Sequence, residues 1–354
     1  MHSSSALSLL AGVTGVTALV LAGASASVGA SACSRSDGSG GAHDATPSPG
    51  SWAPAKPLPV DRFEAYAATS NEKIYFIGGI TGILGDLRSI KESDRVDVYD
   101  PASDAWSDGP PLPLDAPKHH LAVAVVDGKI YVVGGFVGVV GGDPPGTFHP
   151  IATSFVLDGG TWRRVADQPL ARGAATAQAI DGKIYVAGGG DNENFARADV
   201  FVYDPAIDAW SPRASMPTAR EHVASCATGG KMIAVGGWNG PQKNVTAAAE
   251  VYDPKSDSWK RLPDLPTPRG GLGGIAIGNV CFFIGGERWD LPPPATFSAN
   301  EGIDLASGEW RAYAPMPTSR HGIGVALLDG SIHVVGGGPS QGNSYTNVVE
   351  VFTP

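Results

Sequence analysis

Short apolar runs that end in a pair of glycines recur along the chain. One copy reads Ile74-Tyr75-Phe76-Ile77, and the third copy reads Ile184-Tyr185-Val186-Ala187. Runs of β-branched and aromatic residues bounded by turn residues are typical of β-strands. The glycine pairs begin at Gly78, Gly134, Gly188, Gly236, Gly285 and Gly336, in steps of 56, 54, 48, 49 and 51 residues. A period near fifty predicts one supersecondary unit that is repeated six times.

Three further features recur at fixed places between the glycine pairs. Asp-Pro turns follow apolar runs, as in Val98-Tyr99-Asp100-Pro101 and Val202-Tyr203-Asp204-Pro205. A tryptophan follows each of the first five pairs, at Trp106, Trp162, Trp210, Trp259 and Trp310, and Trp52 precedes the first pair. A cation stands sixteen residues before each pair, at Arg62, Lys118, Arg172, Arg220, Arg269 and Arg320. The unit therefore predicts four short strands with tight turns between them.

The glycine pair, the tyrosine and the tryptophan at this spacing resemble kelch repeats over residues 51–354. The resemblance implies an all-β fold, a six-bladed β-propeller built from four-stranded kelch blades. Two units depart from the pattern, with Phe155-Val156-Leu157-Asp158 in the second and Ile303-Asp304-Leu305 in the fifth. We expect irregular blades at those two places.

The two ends of the repeat region predict how the ring of blades closes. The last unit stops at Val351-Phe352-Thr353-Pro354 and lacks a tryptophan strand, whereas Ser51-Trp52 is a tryptophan strand with no unit before it. Pairing of the two segments completes the last blade and leaves no open sheet edge. We therefore expect the Trp52 strand to lie in the same sheet as residues 348–352.

The first fifty residues have a different composition. Residues 1–32 contain no Asp, Glu, Lys or Arg, and Leu7–Ala24 is apolar, which predicts an export signal. Ala30-Ser31-Ala32-Cys33 resembles a bacterial lipobox, in which Cys33 carries the lipid; simple cleavage and an uncleaved membrane anchor are the alternatives. Residues 33–50 predict a flexible Ser/Gly/Pro tether. All three alternatives place the propeller outside the cytoplasm, in the periplasm, on the cell surface or secreted.

Charge and cysteine content narrow the possible partners. The net charge is −10 and no basic run exists, which argues against nucleic acid and against a membrane contact other than an N-terminal lipid. Cys226 and Cys281 lie on strand-like runs in neighbouring units. We interpret them as two buried thiols, with a disulfide as the alternative in an oxidising compartment.

The unusual side chains gather on one predicted face. Antiparallel strands alternate in direction, so the loops after each glycine pair share a face with the segments between each tryptophan and the next cation. We call this side the loop face and the other side, which carries the Asp-Gly and Asp-Pro turns, the turn face. Loops that differ from blade to blade commonly carry function. The predicted ligand-binding residues on the loop face are Arg62, His120, Asn192, Arg220, His222, Trp238, Arg288, Trp289, Arg320 and His321.

Two functions from different classes remain open. The first is a non-enzymatic binding module for a protein, peptide or glycan, which agrees with the interaction role common among kelch propellers. The second is a carbohydrate-acting enzyme, because some kelch-like propellers are sugar mutarotases or copper-radical oxidases. Its candidate acid and base groups are Glu64, His120, Glu221 and His222. A metal bound at the predicted mouth is a further alternative, with candidate ligands His119, His120, His222, His321, Glu64 and Glu221. We expect no metal, because these residues come from separate blades and form no two-His helix motif, and no cofactor. We also weigh a structural role for the six cations, as hydrogen-bond donors to backbone carbonyls.

Overall fold

The computed structural model describes residues 49–83, 86–138, 148–191, 196–240, 244–290 and 295–354. The predicted export signal, Cys33 and most of the predicted tether lie outside the described residues. The strands are β1 (Ser51–Pro54), β2 (Tyr66–Ser70), β3 (Lys73–Ile77), β4 (Ile80–Ile83), β5 (Asp86–Glu92), β6 (Val96–Asp100), β7 (Ala105–Asp108), β8 (Ala122–Val126), β9 (Lys129–Val137), β10 (His149–Asp158), β11 (Thr161–Val165), β12 (Gly173–Ile180), β13 (Lys183–Gly190), β14 (Val200–Asp204), β15 (Ala209–Arg213), β16 (Ala224–Thr228), β17 (Lys231–Val235), β18 (Trp238–Asn239), β19 (Asn244–Val245), β20 (Ala249–Asp253), β21 (Ser258–Arg261), β22 (Gly273–Ile277), β23 (Val280–Ile284), β24 (Glu287–Arg288), β25 (Ala295–Thr296), β26 (Asn300–Asp304), β27 (Trp310–Ala312), β28 (Gly324–Leu328), β29 (Ser331–Val335) and β30 (Val349–Thr353). No helix in the described part of the chain is long and apolar enough to cross a membrane.

Within the described ranges, six antiparallel four-stranded sheets form the blades of a β-propeller. Their strand orders are β2-β3-β6-β7, β8-β9-β10-β11, β12-β13-β14-β15, β16-β17-β20-β21, β22-β23-β26-β27 and β28-β29-β30-β1. We number the blades 1 to 6 in this order. Blades 2 and 5 are four-stranded like the others, and the irregularity expected in blade 2 is a register shift between Ile151 and Ser154 of β10. Three small hairpins, β4-β5, β18-β19 and β24-β25, follow glycine pairs on the loop face.

The predicted closure of the ring is confirmed. β1 pairs with β30, and Trp52 stands opposite Phe352, with ring centroids 5.1 Å apart. The Trp52 indole N–H donates to the backbone oxygen of Ala314 at 2.7 Å, in the preceding blade. The first and last described segments therefore complete one blade, which covers an edge of β30 that would otherwise be open to pairing with another chain.

The repeat tryptophans join each blade to the one before it. In every blade the indole N–H donates to a backbone oxygen of the preceding blade, at 2.7 to 2.9 Å. The pairs are Trp52 with Ala314, Trp106 with Lys56, Trp162 with Pro110, Trp210 with Ala166, Trp259 with Ala214 and Trp310 with Pro263. A half-buried indole with a satisfied N–H is a common arrangement for this side chain, and here it explains the fixed position of tryptophan in the repeat.

The glycine pairs make the second junction between blades. The N–H of Gly286 donates to the carbonyl of Arg320 in the next blade, and the N–H of Gly337 donates to Arg62, which closes the circle. Gly285 has φ +65°, and a Cβ at this position would lie 2.5 Å from the carbonyl oxygen of Arg320. Only glycine tolerates both this conformation and this close approach, which is why the pair recurs.

A disulfide joins blades 4 and 5, which corrects our interpretation of two buried thiols. Cys226 on β16 and Cys281 on β23 are bonded, with their Cα atoms 6.0 Å apart. Both side chains are buried, at 1% and 0% exposure. The sequence left this open because strands of different blades face each other only after the ring has closed.

Candidate functional site

Six backbone positions form a closed hydrogen-bonded ring at the loop-face end of the central channel. They are the residues two places after each cation, Glu64, His120, Ala174, His222, Gly271 and Gly322. The N–H of each donates to the carbonyl of the ring residue in the preceding blade at 2.9 to 3.2 Å, and the N–H of Glu64 donates to Gly322 and completes the circle. All six have φ between +49° and +64°. The ring thus fixes six side-chain positions around one axis.

Three ring residues bring ionisable side chains together. One ligand-type atom each of Glu64, His120 and His222 lies within 4.8 Å of the others. The Nε2 atom of His120 is 3.5 Å from Oε2 of Glu64, and the two imidazole centroids are 4.9 Å apart. The hydroxyl of Tyr66 donates to the Glu64 carboxylate at 3.3 Å, and burial together with this carboxylate raises the pKa of Tyr66 well above its usual value. The cluster therefore combines a carboxylate, two imidazoles and a neutral phenol.

His119 holds the ring of His120 in place. The Nε2–H of His119 donates to the carbonyl of Gly138 at 2.8 Å, because a carbonyl oxygen can only accept. Burial lowers the pKa of His119 to about 4, so the imidazole is neutral and its Nδ1 carries a lone pair. That atom lies 2.7 Å from Nδ1 of His120, which therefore donates. In a neutral His120 the remaining lone pair is on Nε2 and faces Glu64.

The structure places Trp238 inside the protein rather than at a ligand surface. Its side chain is 1% exposed and stacks on the imidazole of His222, with ring centroids 4.1 Å apart. This corrects the prediction that Trp238 contacts a ligand directly. Glu221 is also buried, at 8% exposure, with Oε2 3.8 Å from Nδ1 of His222. Trp238 therefore packs against His222, Glu221 lies beside it, and neither residue is presented to solvent.

The arginines of the repeat are structural, which corrects the prediction that Arg62, Arg220 and Arg320 bind ligand. All three are 0% exposed. Each guanidinium donates to the carbonyl of a glycine sixteen residues later. Each also pairs with a buried carboxylate on the third strand of its own blade, Asp97, Glu250 or Glu350. These groups satisfy the strand carbonyls and leave no surface for a ligand.

The remaining predicted residues have different environments. Trp289 is 38% exposed on the loop face, and Nε of the neighbouring Arg288 donates to Asp290 at 3.0 Å. His321 is 1% exposed, with Nδ1 3.1 Å from the carbonyl of Gly338 and Nε2 3.6 Å from Glu287. Asn192 lies outside the described residues. His321 therefore belongs to a second buried carboxylate–imidazole pair, and among the predicted residues that the structure describes Trp289 has the most accessible side chain.

The channel itself is a cavity of about 410 Å³ lined by the innermost strands. Alanine and glycine dominate its wall, and His222 lines its end at the ring. Gln178 donates through Nε2 to the carbonyl of Ser225 at 3.0 Å, on the wall between blades 3 and 4. Sequence reasoning assigned no role to Tyr66, Glu287 or Gln178. Tyr66 and Glu287 each stand at a fixed distance from a repeat residue, so alignment of the six units is the signal that identifies them.

Comparisons with known proteins agree with this architecture. A family model described as "KLHDC2/KLHL20/DRC7 Kelch-repeats domain" matches residues 139–286, and one described as "Kelch motif" matches residues 62–113. The chain is 29% identical to the Kelch-like protein terF of Aspergillus terreus, over 87% of this chain and 69% of that protein. It is 31% identical to the human Kelch repeat and BTB domain-containing protein 12, over 45% of this chain and 27% of that protein. The solved structure of YjhT superposes with a TM-score of 0.70 at 16% identity, covering 85% of this chain and 97% of that one, which shows a shared fold.

Proposed function

The chain belongs to the kelch-repeat family of β-propeller proteins, and from that premise we propose that it is an exported binding module whose loop face holds a protein or peptide ligand. Kelch repeats commonly serve as interaction platforms. Function is located in particular side chains and not in the fold. The proposal therefore depends on what the loop face presents.

Trp289 is the observation that carries the proposal. Six of the eight tryptophans bond to the preceding blade and Trp238 is buried, whereas Trp289 keeps 38% of its surface exposed. Its ring edge packs near Gly342, where an added Cβ would lie 3.2 Å from the indole. An exposed aromatic plate held by a neighbouring loop, with Arg288 and Asp290 beside it, suits the anchor role that tryptophan often has in peptide and protein interfaces.

Export is supported by two independent features. The apolar stretch Leu7–Ala24 and the Ala-Ser-Ala-Cys segment ending at Cys33 are typical of a lipoprotein signal. The disulfide between Cys226 and Cys281 suits an oxidising compartment, since such bonds rarely persist in a reducing cytosol. A propeller tethered to a membrane by its N-terminus would present its loops to partners in the cell envelope.

The test uses peptide selection on the full chain. Peptides enriched from a displayed random library are measured by fluorescence anisotropy against the wild type, Trp289→Ala and Ile207→Ala. Ile207 is the matched control, because it is an exposed apolar residue, 71% accessible, on an Asp-Pro turn of the turn face. Loss of an anchor is worth about 2 kcal/mol or more, or roughly thirtyfold in Kd. Equal binding by the wild type and Trp289→Ala, or enrichment of glycans but no peptides in a parallel array, refutes the proposal.

A carbohydrate-acting enzyme is the second candidate, favoured by one specific contact. The Glu64 carboxylate and His120 Nε2 are 3.5 Å apart at the mouth of the channel, which is near hydrogen-bonding range. A carboxylate and an imidazole at one site can act as acid and base in proton transfer to a sugar ring oxygen. The test measures the interconversion of α and β anomers for a panel of monosaccharides, by saturation transfer between their anomeric proton signals in NMR. Catalysis by the wild type that is lost in Glu64→Gln supports it, and a rate equal to the buffer rate for every sugar excludes it.

A further inference from the structure

We propose that Glu64, His120 and His222 bind one divalent transition-metal ion at the loop-face end of the channel. The three side chains come from blades 1, 2 and 4 and occupy one repeat position. Their ligand-type atoms lie within 4.8 Å of one another. This inference is independent of the proposed peptide ligand, which concerns the rim at Trp289, and it assigns the Glu64–His120 pair as ligands instead of as an acid and a base. It replaces our sequence-based expectation of no metal.

The backbone ring explains why three ligands converge from separate blades. Each ring residue is tied to its neighbours by backbone hydrogen bonds, so the Cα positions are fixed before any ion binds. Ala174 separates His120 from His222, and Gly271 and Gly322 complete the circle. These three small side chains leave the space into which the larger three extend. A Cβ on Gly322, for example, would lie 2.7 Å from Oε1 of Glu64.

The backbone conformation adds a second, independent observation. Glu64, His120 and His222 have φ of 49°, 54° and 50°, in the left-handed region. A residue with a Cβ is strained in this region relative to its ordinary conformation, because the Cβ crowds the backbone. Glycine occupies the same ring position in blades 5 and 6, where it avoids that strain. Strained residues that are ionisable, buried and mutually close indicate that their side chains serve a function.

His120 is oriented as a metal ligand is. Ligating histidines usually donate their other ring N–H to an acceptor that fixes the ring and the tautomer. Here the acceptor is Nδ1 of His119 at 2.7 Å, and His119 is itself held by the carbonyl of Gly138. The lone pair of His120 Nε2 then faces the Glu64 carboxylate at 3.5 Å. In neutral His120 these two atoms present lone pairs to the same space, so a metal ion placed there would be bound by both.

His222 supplies the second imidazole and the route for the ion. Its ring stacks on Trp238, with ring centroids 4.1 Å apart, so its direction is constrained by a buried neighbour, and Oε2 of Glu221 lies 3.8 Å from its Nδ1. Unlike Glu64 and His120, which are 3% and 4% exposed, it lines the 410 Å³ channel cavity. An ion therefore reaches the cluster along His222.

The donor set selects the class of ion. Two imidazoles and one carboxylate suit Zn²⁺, Fe²⁺ and their first-row neighbours, whereas Ca²⁺ and Mg²⁺ prefer oxygen ligands alone. In a tetrahedral site, two atoms that each lie about 2.1 Å from the ion are about 3.4 Å apart. The Glu64–His120 pair, at 3.5 Å, is already close to this spacing. Separations of up to 4.8 Å require the atoms to approach by up to about 1.4 Å on binding, through rotation of the Glu64 or His222 side chain. Three protein ligands leave at least one position for water or for a donor atom of a bound molecule.

The experiment measures metal binding to the full chain, with Zn²⁺ and Co²⁺ as probes. After removal of metals with EDTA, Zn²⁺ is titrated against a chromophoric competitor, and the visible absorption of Co²⁺ reports coordination geometry. The expected result is one equivalent bound, with Glu64→Gln, His120→Gln and His222→Gln each weakening Kd by at least about 100-fold, more than loss of an outer partner causes. Circular dichroism and urea unfolding check that each variant folds.

His321→Gln is the matched control. His321 is a buried imidazole 3.6 Å from a buried carboxylate, Glu287, near the same end of the channel, but it lies outside the cluster. We expect its Zn²⁺ affinity to remain within about twofold of the wild type, a change of at most ~0.4 kcal/mol. Three outcomes overturn the proposal: no binding by the folded wild type, equal loss in His321→Gln, or full binding retained in His120→Gln and His222→Gln. The last result would place the ion elsewhere in the chain.

Discussion

Reduction of the disulfide between blades 4 and 5 should lower the stability of the propeller. The bond joins Cys226 and Cys281, which are 55 residues apart in sequence. In the chain-entropy model, closing a loop of about 55 residues removes about 14 cal/mol/K from the unfolded chain, or about 4 kcal/mol at 25 °C. Measured disulfides typically contribute about 2–4 kcal/mol. Since domains have only about 5–15 kcal/mol of net stability, the effect should be large.

The assay is urea unfolding of the chain produced in an oxidising compartment, with and without a thiol-free phosphine reductant. We expect a loss of about 2–4 kcal/mol on reduction. The Cys226→Ala/Cys281→Ala variant is the control, because the reductant should leave its unfolding curve unchanged. Mass spectrometry after alkylation counts the free thiols before and after reduction.

Two results would refute this reasoning. In the first, the native oxidised protein alkylates at both Cys226 and Cys281, which would mean that no bond has formed. In the second, the bond is present but its reduction lowers the free energy of unfolding by less than about 0.5 kcal/mol. This would mean that the bond does not restrict the unfolded chain as the chain-entropy model assumes. The first outcome would also remove the disulfide from the support for export.

Three further predictions concern the Arg220–Glu250 pair, Trp52 and His119. Glu250→Ala leaves the Arg220 guanidinium, which is 0% exposed, without its carboxylate, so the free energy of urea unfolding should fall by about 3–5 kcal/mol. The control is Asp264→Ala, which breaks an exposed ion pair with Arg261 and should cost under about 1 kcal/mol. Equal losses in the two variants would contradict the argument. Trp52→Ala removes the indole bond at the ring closure and should lower stability by about 2–3 kcal/mol, with increased aggregation measured by light scattering, whereas unchanged unfolding would show that β1 contributes little. Burial lowers the pKa of His119 to about 4 in the folded state, whereas in the unfolded chain it has the ordinary value near 6.5. As the pH falls below about 6.5, the unfolded state therefore binds a proton that the folded state does not, and the free energy of unfolding decreases. From pH 7 to pH 5 the metal-free wild type should lose about 2 kcal/mol more than His119→Phe, and identical pH slopes would exclude a neutral buried His119.

The repeat pattern determined most of the fold. The period, the glycine pairs and the tryptophan spacing are local features of the sequence, and together they predict six four-stranded units. The Trp52 strand, which has no unit before it, predicted how the ring closes. These features follow from strand length, turn chemistry and the steric demand of positions such as Gly285, where the carbonyl of the next blade leaves no room for a Cβ. Strand length and turn chemistry are visible in the sequence of a single unit, and the glycine pair marks its steric demand by recurring in every unit.

The site was only partly predictable. Glu64, His120 and His222 could be selected as candidates because they follow the repeat cations, but the sequence gives no distance between residues of different blades. The same limit explains the errors at Arg62 and Trp238, whose types suit a ligand surface but whose side chains are buried. Burial depends on the partners that another strand supplies, such as the carboxylate of Asp97.

The sequence by itself determined the repeated unit, the number of blades and the pairing of Trp52 with the last blade. Only the tertiary structure decided which side chains meet around the axis. The physical reason is that ring closure brings together residues about fifty to one hundred positions apart, so that Cys226 bonds Cys281 and His120 faces both Glu64 and His222. Those contacts depend on the angle between blades and on small residues such as Ala174, and both are properties of the assembled ring.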